Sequence, residues 1–175
     1  MQSLRVAFLL SVAAGVALAQ APGPQPGEEH RKLMSLAGTW KGDGDLYATP
    51  LSAAGKLTLT NACTVYPGGY NLVCDLTGTF AGQPYRELQV LGYDQEARRY
   101  TWYDIDSTGI NSLGYGSFEN STWTFVFNLK ADGTPVQLKI MLTLLSATTA
   151  KAAAEVSVDG GPSVRMQDVN LQKVE

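Results

Sequence analysis

The stretch GTWKGDGDLY, residues 38–47, decides the fold. Trp40, Gly42, Gly44 and Leu46 alternate with threonine, lysine and aspartate, so one face of the segment is apolar or small and the other is charged. A period of two is the pattern of a half-buried β-strand. A tryptophan followed by two glycines on one face indicates a bulky side chain that closes one end of a core. At the two glycines that follow this tryptophan, either the interior is empty or another backbone comes close.

The same alternation continues through the rest of the chain. It places large apolar side chains on one face of residues 121–129 and of residues 136–145, and turn sequences such as PGG, KADGT and DGGP separate such segments. About ten strands follow one short helix, EEHRKLMSLAG, at residues 28–38. We therefore predict an all-β fold, an antiparallel up-and-down β-barrel with a short N-terminal helix, because closure removes exposed strand edges. A two-sheet sandwich is the alternative that alternation alone leaves open.

The opening stretch resembles a known first-strand motif. GTWKGDGD is similar to the Gly-x-Trp motif of the calycin group, the lipocalins and their relatives, and in its longer form to the Gly-x-Trp-x-Gly-x-Gly opening of the nitrobindins. Nitrobindins are ten-stranded haem barrels, and that resemblance implies a proximal histidine on a late strand. The single histidine of this chain, His30, precedes the strands. Haem is therefore not expected, and we predict no cofactor.

The middle of the chain carries a second resemblance. GQPYRELQVLGYDQEARRYTWYDIDSTG, residues 82–109, is similar to an uncharacterised family of bacterial lipocalin-like domains of unknown function. The resemblance extends from Leu33 to near Leu171 and implies a lipocalin-like barrel. It supplies no catalytic residues.

The N-terminus has the three-part pattern of a secretory signal. A basic Arg5 precedes an uncharged apolar run at residues 6–18, and small residues stand at Ala17 and Ala19. The run is too short to span a bilayer. We expect residues 1–19 to be a cleaved signal peptide, residues 20–27 a flexible linker rich in proline and glycine, and residues 28–175 one barrel domain. The mature protein would then be periplasmic or extracellular.

Charge and composition exclude several partners. The chain has 13 basic and 16 acidic residues, a net charge of −3. Bulk charge of this sign attracts neither nucleic acid nor an anionic membrane. We therefore expect no nucleic-acid partner and, after signal cleavage, no integral membrane segment. The composition leaves the oligomeric state open.

The two cysteines predict a disulfide. Cys63 and Cys74 are equally distant from the centre of the turn at residues 67–70, so they should face each other across a β-hairpin. A four-residue loop would place them at a non-hydrogen-bonded pair, where antiparallel strands come closest. In an exported protein such a pair forms a disulfide. Two separate buried thiols are the alternative.

Catalytic and metal chemistry have little support. DIDSTG places Asp104, Asp106 and Thr108 at the spacing of half a calcium loop, but Tyr115 stands where the closing acid is expected. The two aspartates share a strand face, yet nothing marks them as an acid and base pair, and a solvated turn explains them better. No nucleophile has a histidine base within the strands. We predict no catalytic residues, no metal site and no enzymatic activity.

A ligand-binding interior is the remaining functional expectation. Inward aromatic and aliphatic side chains, facing glycines on the first strand, would line a cavity, and one cation would bind an acidic head group. The predicted lining residues are Gly42, Gly44, Trp123, Phe125, Phe127, Ile140, Leu142 and Arg165. Arg165 could equally be a surface residue or pack over Trp40. The guest would be a small apolar or amphipathic molecule. The alternative is a secreted structural or interaction protein with a filled barrel.

Overall fold

The computed structural model describes residues 25–174. The predicted signal peptide and most of the predicted linker lie outside these residues. One helix precedes ten strands: α1 (Glu28–Met34), β1 (Gly38–Leu46), β2 (Gly55–Val65), β3 (Asn71–Phe80), β4 (Gln83–Asp94), β5 (Arg99–Asp106), β6 (Asn111–Glu119), β7 (Thr122–Ala131), β8 (Thr134–Leu144), β9 (Thr149–Val158) and β10 (Val164–Lys173).

The ten strands form a closed antiparallel barrel. Each strand pairs with the next along the chain, and β1 also pairs with β10 in a register that runs from Trp40 opposite Lys173 to Leu46 opposite Gln167. This closure confirms the predicted up-and-down barrel and excludes the sandwich. It pairs both edges of the meander, which would otherwise expose unpaired backbone groups.

Helix α1 closes one end of the barrel, called here the helix end. Its Leu33 is fully buried, and the adjoining Leu36 is nearly so. The backbone N–H of Gly27 donates to Nδ1 of His30 at 3.1 Å, which satisfies one free donor at the start of the helix. The chain then turns into β1 at Gly38, whose φ of 120° favours glycine. The indole Nε1 of Trp40 donates to the backbone oxygen of Leu36 at 2.9 Å and so attaches β1 to the chain after the helix.

The hairpin of β2 and β3 has the predicted register. Cys63 lies opposite Cys74 and forms a disulfide with it, with 4.0 Å between the Cα atoms. The backbone N–H of Tyr66 donates to the oxygen of Asn71 and closes the four-residue loop. Hydrogen-bonded and non-hydrogen-bonded pairs alternate along antiparallel strands. Tyr66 and Asn71 are hydrogen-bonded, so Cys63 and Cys74, three positions farther along, form a non-hydrogen-bonded pair, as expected. The disulfide prediction is confirmed.

The apolar interior is divided into two clusters. The larger one lies at the helix end and includes residues of α1 and the aromatic side chains of β5 and β7. The smaller one consists of Leu46, Leu57 and Val169, with half-buried neighbours, toward the opposite end. Glycines allow the sheet to bend sharply between strands. A Cβ on Gly44 would lie 2.0 Å from the backbone oxygen of Asp168, and one on Gly78 would lie 2.0 Å from that of Thr58.

Candidate ligand-binding site inside the barrel

The three predicted aromatic residues of β7 lie in the core. Trp123, Phe125 and Phe127 are almost fully buried. The ring of Trp102 on β5 meets the rings of Phe125 and Phe127 edge-on, with centroids 5.2 and 5.7 Å apart. Gly114 on β6 leaves room for this packing, because a Cβ there would lie 2.6 Å from a ring atom of Phe127. These rings form an apolar floor at the helix end of the interior.

Several aliphatic side chains face inward but are only half-buried. Ile140 and Leu142, both predicted to line a cavity, pack against the larger cluster together with Leu138. Leu59 and Leu171 are also half-buried and pack against the smaller cluster. On the inner side of a closed barrel, accessible apolar surface of this kind faces the interior. It gives a guest apolar contact area between the two clusters.

The glycines of β1 mark a close approach. A Cβ on Gly42 would lie 2.7 Å from a methyl carbon of Leu171 and 2.9 Å from one of Val169. Gly44 is crowded by the backbone of β10. The sequence left two explanations for these glycines, an empty interior or a close backbone. The structure shows the second, because β10 lies against both glycines. Whether a guest touches Gly42 or Gly44 stays a prediction.

Arg165 lies on the outer face of the barrel. It is opposite Glu155 in the register, and its guanidinium is 3.6 Å from the Glu155 carboxylate and 3.8 Å from that of Asp168. The side chain borders an outer groove of about 550 Å³ that also contains Met141 and Ala153. The structure does not bring Arg165 together with the inward residues.

A set of polar side chains, called here the polar wall, lines the inner face of β2 and of β4 to β6. In the register, Glu87 is opposite Asp106, Gln89 is opposite Asp104, and Asp104 is also opposite Ser112. Along β4 and β5, Glu87 and Asp106 lie farther from the helix-end residues Tyr93 and Tyr100 than Gln89 and Asp104 do. The polar wall consists of Asn61, Tyr85, Glu87, Gln89, Asp104, Asp106 and Ser112.

Hydrogen bonds connect most of the polar wall into one network. Asn61 Nδ2 donates to Gln89 Oε1 at 3.1 Å, and Gln89 Nε2 donates to Glu87 Oε1 at 2.9 Å. The Tyr85 hydroxyl lies 3.0 Å from Glu87 Oε2 and 3.3 Å from Asp106 Oδ2. This network fixes the positions of the side chains before any guest arrives.

A separate bond and a turn hold the two aspartates. The Ser112 hydroxyl donates to Asp104 Oδ1. Asp106 Oδ1 accepts from the backbone N–H groups of Thr108 and Ile110, at 2.8 and 3.0 Å, and so shapes the loop between β5 and β6. This explains the DIDSTG sequence as a turn whose first part faces the barrel interior.

The environment raises the pKa values of two carboxyl groups of the polar wall, those of Glu87 and Asp104. Burial is the main cause of the raised pKa of Glu87, about 7, and the nearby carboxylates of Asp104 and Asp106 also raise it. Burial likewise raises the pKa of Asp104, while its bond from Ser112 acts in the opposite direction. Glu87 therefore changes charge near neutral pH, inside the barrel.

Among residues 25–174, Nε1 of Trp123 in the cluster at the helix end is one of three buried side-chain atoms without a hydrogen-bond partner, and the other two lie in this region. They are Oδ1 of Asn61, an acceptor, and Nε1 of Trp102, a donor. Asn61 belongs to the polar wall, and Trp102 is two residues before Asp104 on the same inner face. Buried polar atoms are rarely left unpaired, because each costs the free energy of its lost hydration. A bound molecule that supplies one donor and one acceptor would satisfy both.

Sequence reasoning missed most of the polar wall. It noticed Asp104 and Asp106 on one strand face, but it did not connect them with Glu87 or Gln89. The available signal was the period of two in YRELQV, residues 85–90, which places Tyr85, Glu87 and Gln89 together. The register was needed to place that face beside the aspartates of β5.

The chain belongs to the DUF1579 family of proteins of unknown function, whose family model matches residues 25–172. This confirms that the chain belongs to a family of unknown function, whereas the predicted bacterial origin of that family and the similarity to nitrobindins stay predictions. No curated protein matches the sequence significantly.

Solved structures share the barrel, and the first two are of the calycin-like type. Rv2717c from M. tuberculosis has a TM-score of 0.62 and 13% identity, over 85% of this chain and 99% of that chain. The S-type phycobiliprotein lyase CPES from Guillardia theta has a TM-score of 0.55 and 10% identity, over 86% and 99%. A de novo designed fluorescence-activating β-barrel has a TM-score of 0.46 and 11% identity, over 80% and 94%. At identities this low the likeness concerns the fold alone.

Proposed function

We propose that this chain is an exported barrel protein that binds a small amphipathic molecule in its interior. One observation carries the proposal: half-buried aliphatic side chains and a hydrogen-bonded polar wall share the inner face of one closed barrel. Pockets that bind small molecules combine a mostly apolar lining with a few placed polar groups. The apolar part of the guest would contact Ile140 and Leu142, and its polar end would contact the polar wall.

The polar wall is a poor solution for stability alone. Glu87 and Asp106 are directly opposite each other on neighbouring strands, and like charges at such a pair destabilise a sheet. Asn61 and Trp102 each keep a buried atom without a partner. A barrel that served only as a packed scaffold would be more stable with apolar side chains here. These costs support a binding role for the inner face.

The disulfide is compatible with export. The disulfide between Cys63 and Cys74 is of a kind that persists in oxidising compartments. Within residues 25–174, no helix is long and apolar enough to cross a membrane. Export itself depends on the predicted signal peptide.

A ligand screen on the parent protein, a variant that fills the interior and an outward-facing control variant tests the proposal. Apolar and amphipathic molecules should quench tryptophan fluorescence saturably and raise the melting temperature with concentration. Ile140→Phe adds bulk on the inner face, so it should weaken binding. Val126→Phe adds the same ring on the neighbouring strand β7, where the side chain faces outward, and should leave binding unchanged.

Native mass spectrometry of protein purified from its own host gives a second test. A retained guest should appear as a defined added mass that disappears when the protein is unfolded. If no compound in the screen binds and no guest is retained, the proposed function is wrong.

One observation favours the alternative, a structural or interaction protein with a filled barrel. Large apolar side chains are exposed on the outer face of β4 to β6, where Leu88 is opposite Ile105 and Tyr103 is opposite Leu113. Exposed apolar surface that continues over several strands is typical of interaction sites. An interior that accepts no guest would favour this function.

A further inference from the structure

We propose that the guest's polar end carries a cationic amine, recognised by Glu87, Asp104 and Asp106, and that the barrel selects amines over carboxylates. This inference rests on the proposed interior binding site and names the chemical class that the site would take. It differs from the sequence-based expectation of an acidic head group held by Arg165.

The charges of the inner face all have one sign around the polar wall. Among the described residues, Glu87, Asp104 and Asp106 bond only to hydroxyl, amide and backbone groups, and none of them pairs with a lysine, arginine or histidine. A buried carboxylate without a cationic partner is expensive. A bound ammonium group would provide the missing partner.

The basic side chains of the described strands lie elsewhere. Lys56, Arg86 and Lys139 form ion pairs on the outer face. Lys173 lies at the helix end, where its ammonium is 5.1 Å from the centroid of the Trp40 ring and donates to the backbone oxygen of Ser35. An anionic head group at the polar wall would therefore meet carboxylates without a compensating cation.

The unpartnered buried atoms point to the same kind of guest. Asn61 Oδ1 needs a donor, and an ammonium N–H is a donor of this kind. The amide of Asn61 is joined to Glu87 through Gln89. Trp102 is only 8% exposed, faces inward next to Asp104, and its Nε1 needs an acceptor. An amine with a neighbouring hydroxyl oxygen carries one donor and one acceptor, the two kinds of group that these atoms lack. The aromatic floor at Phe125 and Phe127 then lies beside the apolar body.

The protonation of Glu87 gives the inference a pH dependence. The pKa of Glu87 is raised to about 7 in the protein without guest, mainly by burial. A cation beside it stabilises the charged form and lowers this pKa. Binding of an amine should therefore release a proton near neutral pH, and affinity should increase from pH 6 to pH 8. Binding of an uncharged alcohol should show the opposite or no trend.

The test uses four probes with the same chain length: 2-aminododecan-1-ol, dodecylamine, dodecan-1-ol and dodecanoate, each below its micelle concentration. At pH 8 both amines should bind at least about tenfold more tightly than the alcohol, as expected for one charge-assisted hydrogen bond. Dodecanoate should bind most weakly. 2-Aminododecan-1-ol should bind more tightly than dodecylamine, because its hydroxyl oxygen can accept from the unpartnered indole N–H of Trp102, and Trp102→Phe should remove this difference.

Replacing the Glu87 carboxyl group by an amide removes its charge and keeps its shape. Glu87→Gln should weaken binding of both amines about tenfold, remove its pH dependence and leave the alcohol unchanged. Glu119→Gln, the same change at an exposed position of β6, should alter none of the affinities. If Glu87→Gln does not fold, Asp104→Asn serves the same purpose.

The outcomes distinguish the two proposals. Binding of the alcohol or the carboxylate as tight as that of the amines would overturn the choice of a cationic guest, while the interior site would stand. Amine binding that Glu87→Gln and Asp104→Asn leave unchanged would also overturn it. If none of the four probes binds but another compound or a retained guest does, the choice of a cationic guest is wrong and the interior site stands. If no compound binds and no guest is retained, both proposals are wrong.

Discussion

The charge of Glu87 lowers the stability of the fold, whereas the proposed binding of an amine requires that charge. Its pKa is about 7 in the folded protein, above the ordinary value of 4.5 that it takes in the unfolded chain. The folded state therefore holds its proton more tightly. By linkage, the contribution of Glu87 to stability decreases as pH rises from about 4.5 to 7, and its full cost is present above pH 7.

Glu87→Gln should therefore stabilise the protein in a pH-dependent way. At pH 8 the variant should gain up to about 3 kcal/mol in the free energy of unfolding, since one pKa unit corresponds to about 1.4 kcal/mol. At pH 4.5 the variant and the parent should differ little. Urea unfolding at the two pH values measures this difference. A variant that is less stable than its parent at pH 8 would contradict the burial of this charge.

Trp40 is a residue at which packing dominates. Its side chain is 5% exposed, its indole nitrogen bonds to Leu36, and Lys173 lies over its ring. Trp40→Ala should lower the free energy of unfolding by about 3 to 5 kcal/mol, because it leaves a cavity and an unpaired carbonyl oxygen. Tyr103→Ala, at an exposed outer position, should cost less than about 1 kcal/mol. Equal melting of Trp40→Ala and the parent would show that Trp40 does not close this end.

At the scale of elements, the hairpin of β2 and β3 was predictable and the polar wall was not. The pairing of Cys63 with Cys74 depends only on turn symmetry, which the sequence displays. In β4 to β6 the usual alternation is reversed. Acidic residues such as Glu87 and Asp104 face inward, while Leu88 and Ile105 are exposed outside. A rule that turns apolar residues toward the core would therefore place Leu88 and Ile105 inside. Only the strand register of the closed barrel shows that their acidic neighbours face the interior.

The same hairpin carries the prediction about the disulfide. It closes a loop of about 10 residues, so its loss should lower the free energy of unfolding by about 2 to 3 kcal/mol in the chain-entropy model. The double variant Cys63→Ala, Cys74→Ala measures this loss in urea. Reductant should destabilise the parent to the same extent and leave the variant unchanged. A parent whose unfolding midpoint does not respond to complete reduction would contradict the prediction.

At the scale of the whole molecule, a helix packs over one end of the barrel, whereas the interior away from that end holds both the smaller apolar cluster and the acidic side chains of the polar wall. Helix α1 is held by the bond from the Tyr100 hydroxyl to the Glu29 carboxylate, 2.5 Å, and by the buried Leu33. The pKa of Glu29 is lowered by its bonds from Lys32 and Tyr100, which keeps this attachment ionised at neutral pH. Because α1 lies across one end, we expect a guest of the proposed interior site to enter from the other end. The number of strands and their order followed from alternation and turns, whereas this difference between the ends depends on side-chain contacts.

The last prediction concerns where the molecule matures. If residues 1–19 are a signal peptide, the exported chain begins at Gln20 and meets an oxidising compartment, where Cys63 and Cys74 form their disulfide. The intact mass of protein from the periplasm or medium should then match a chain starting at Gln20 and lacking two hydrogens. Reduction should restore both hydrogens, and trypsin without reductant should yield the single peptide 57–86, which contains both cysteines, two hydrogens lighter than the same peptide after reduction. A full-length cytoplasmic chain with two free thiols would contradict both cleavage and export.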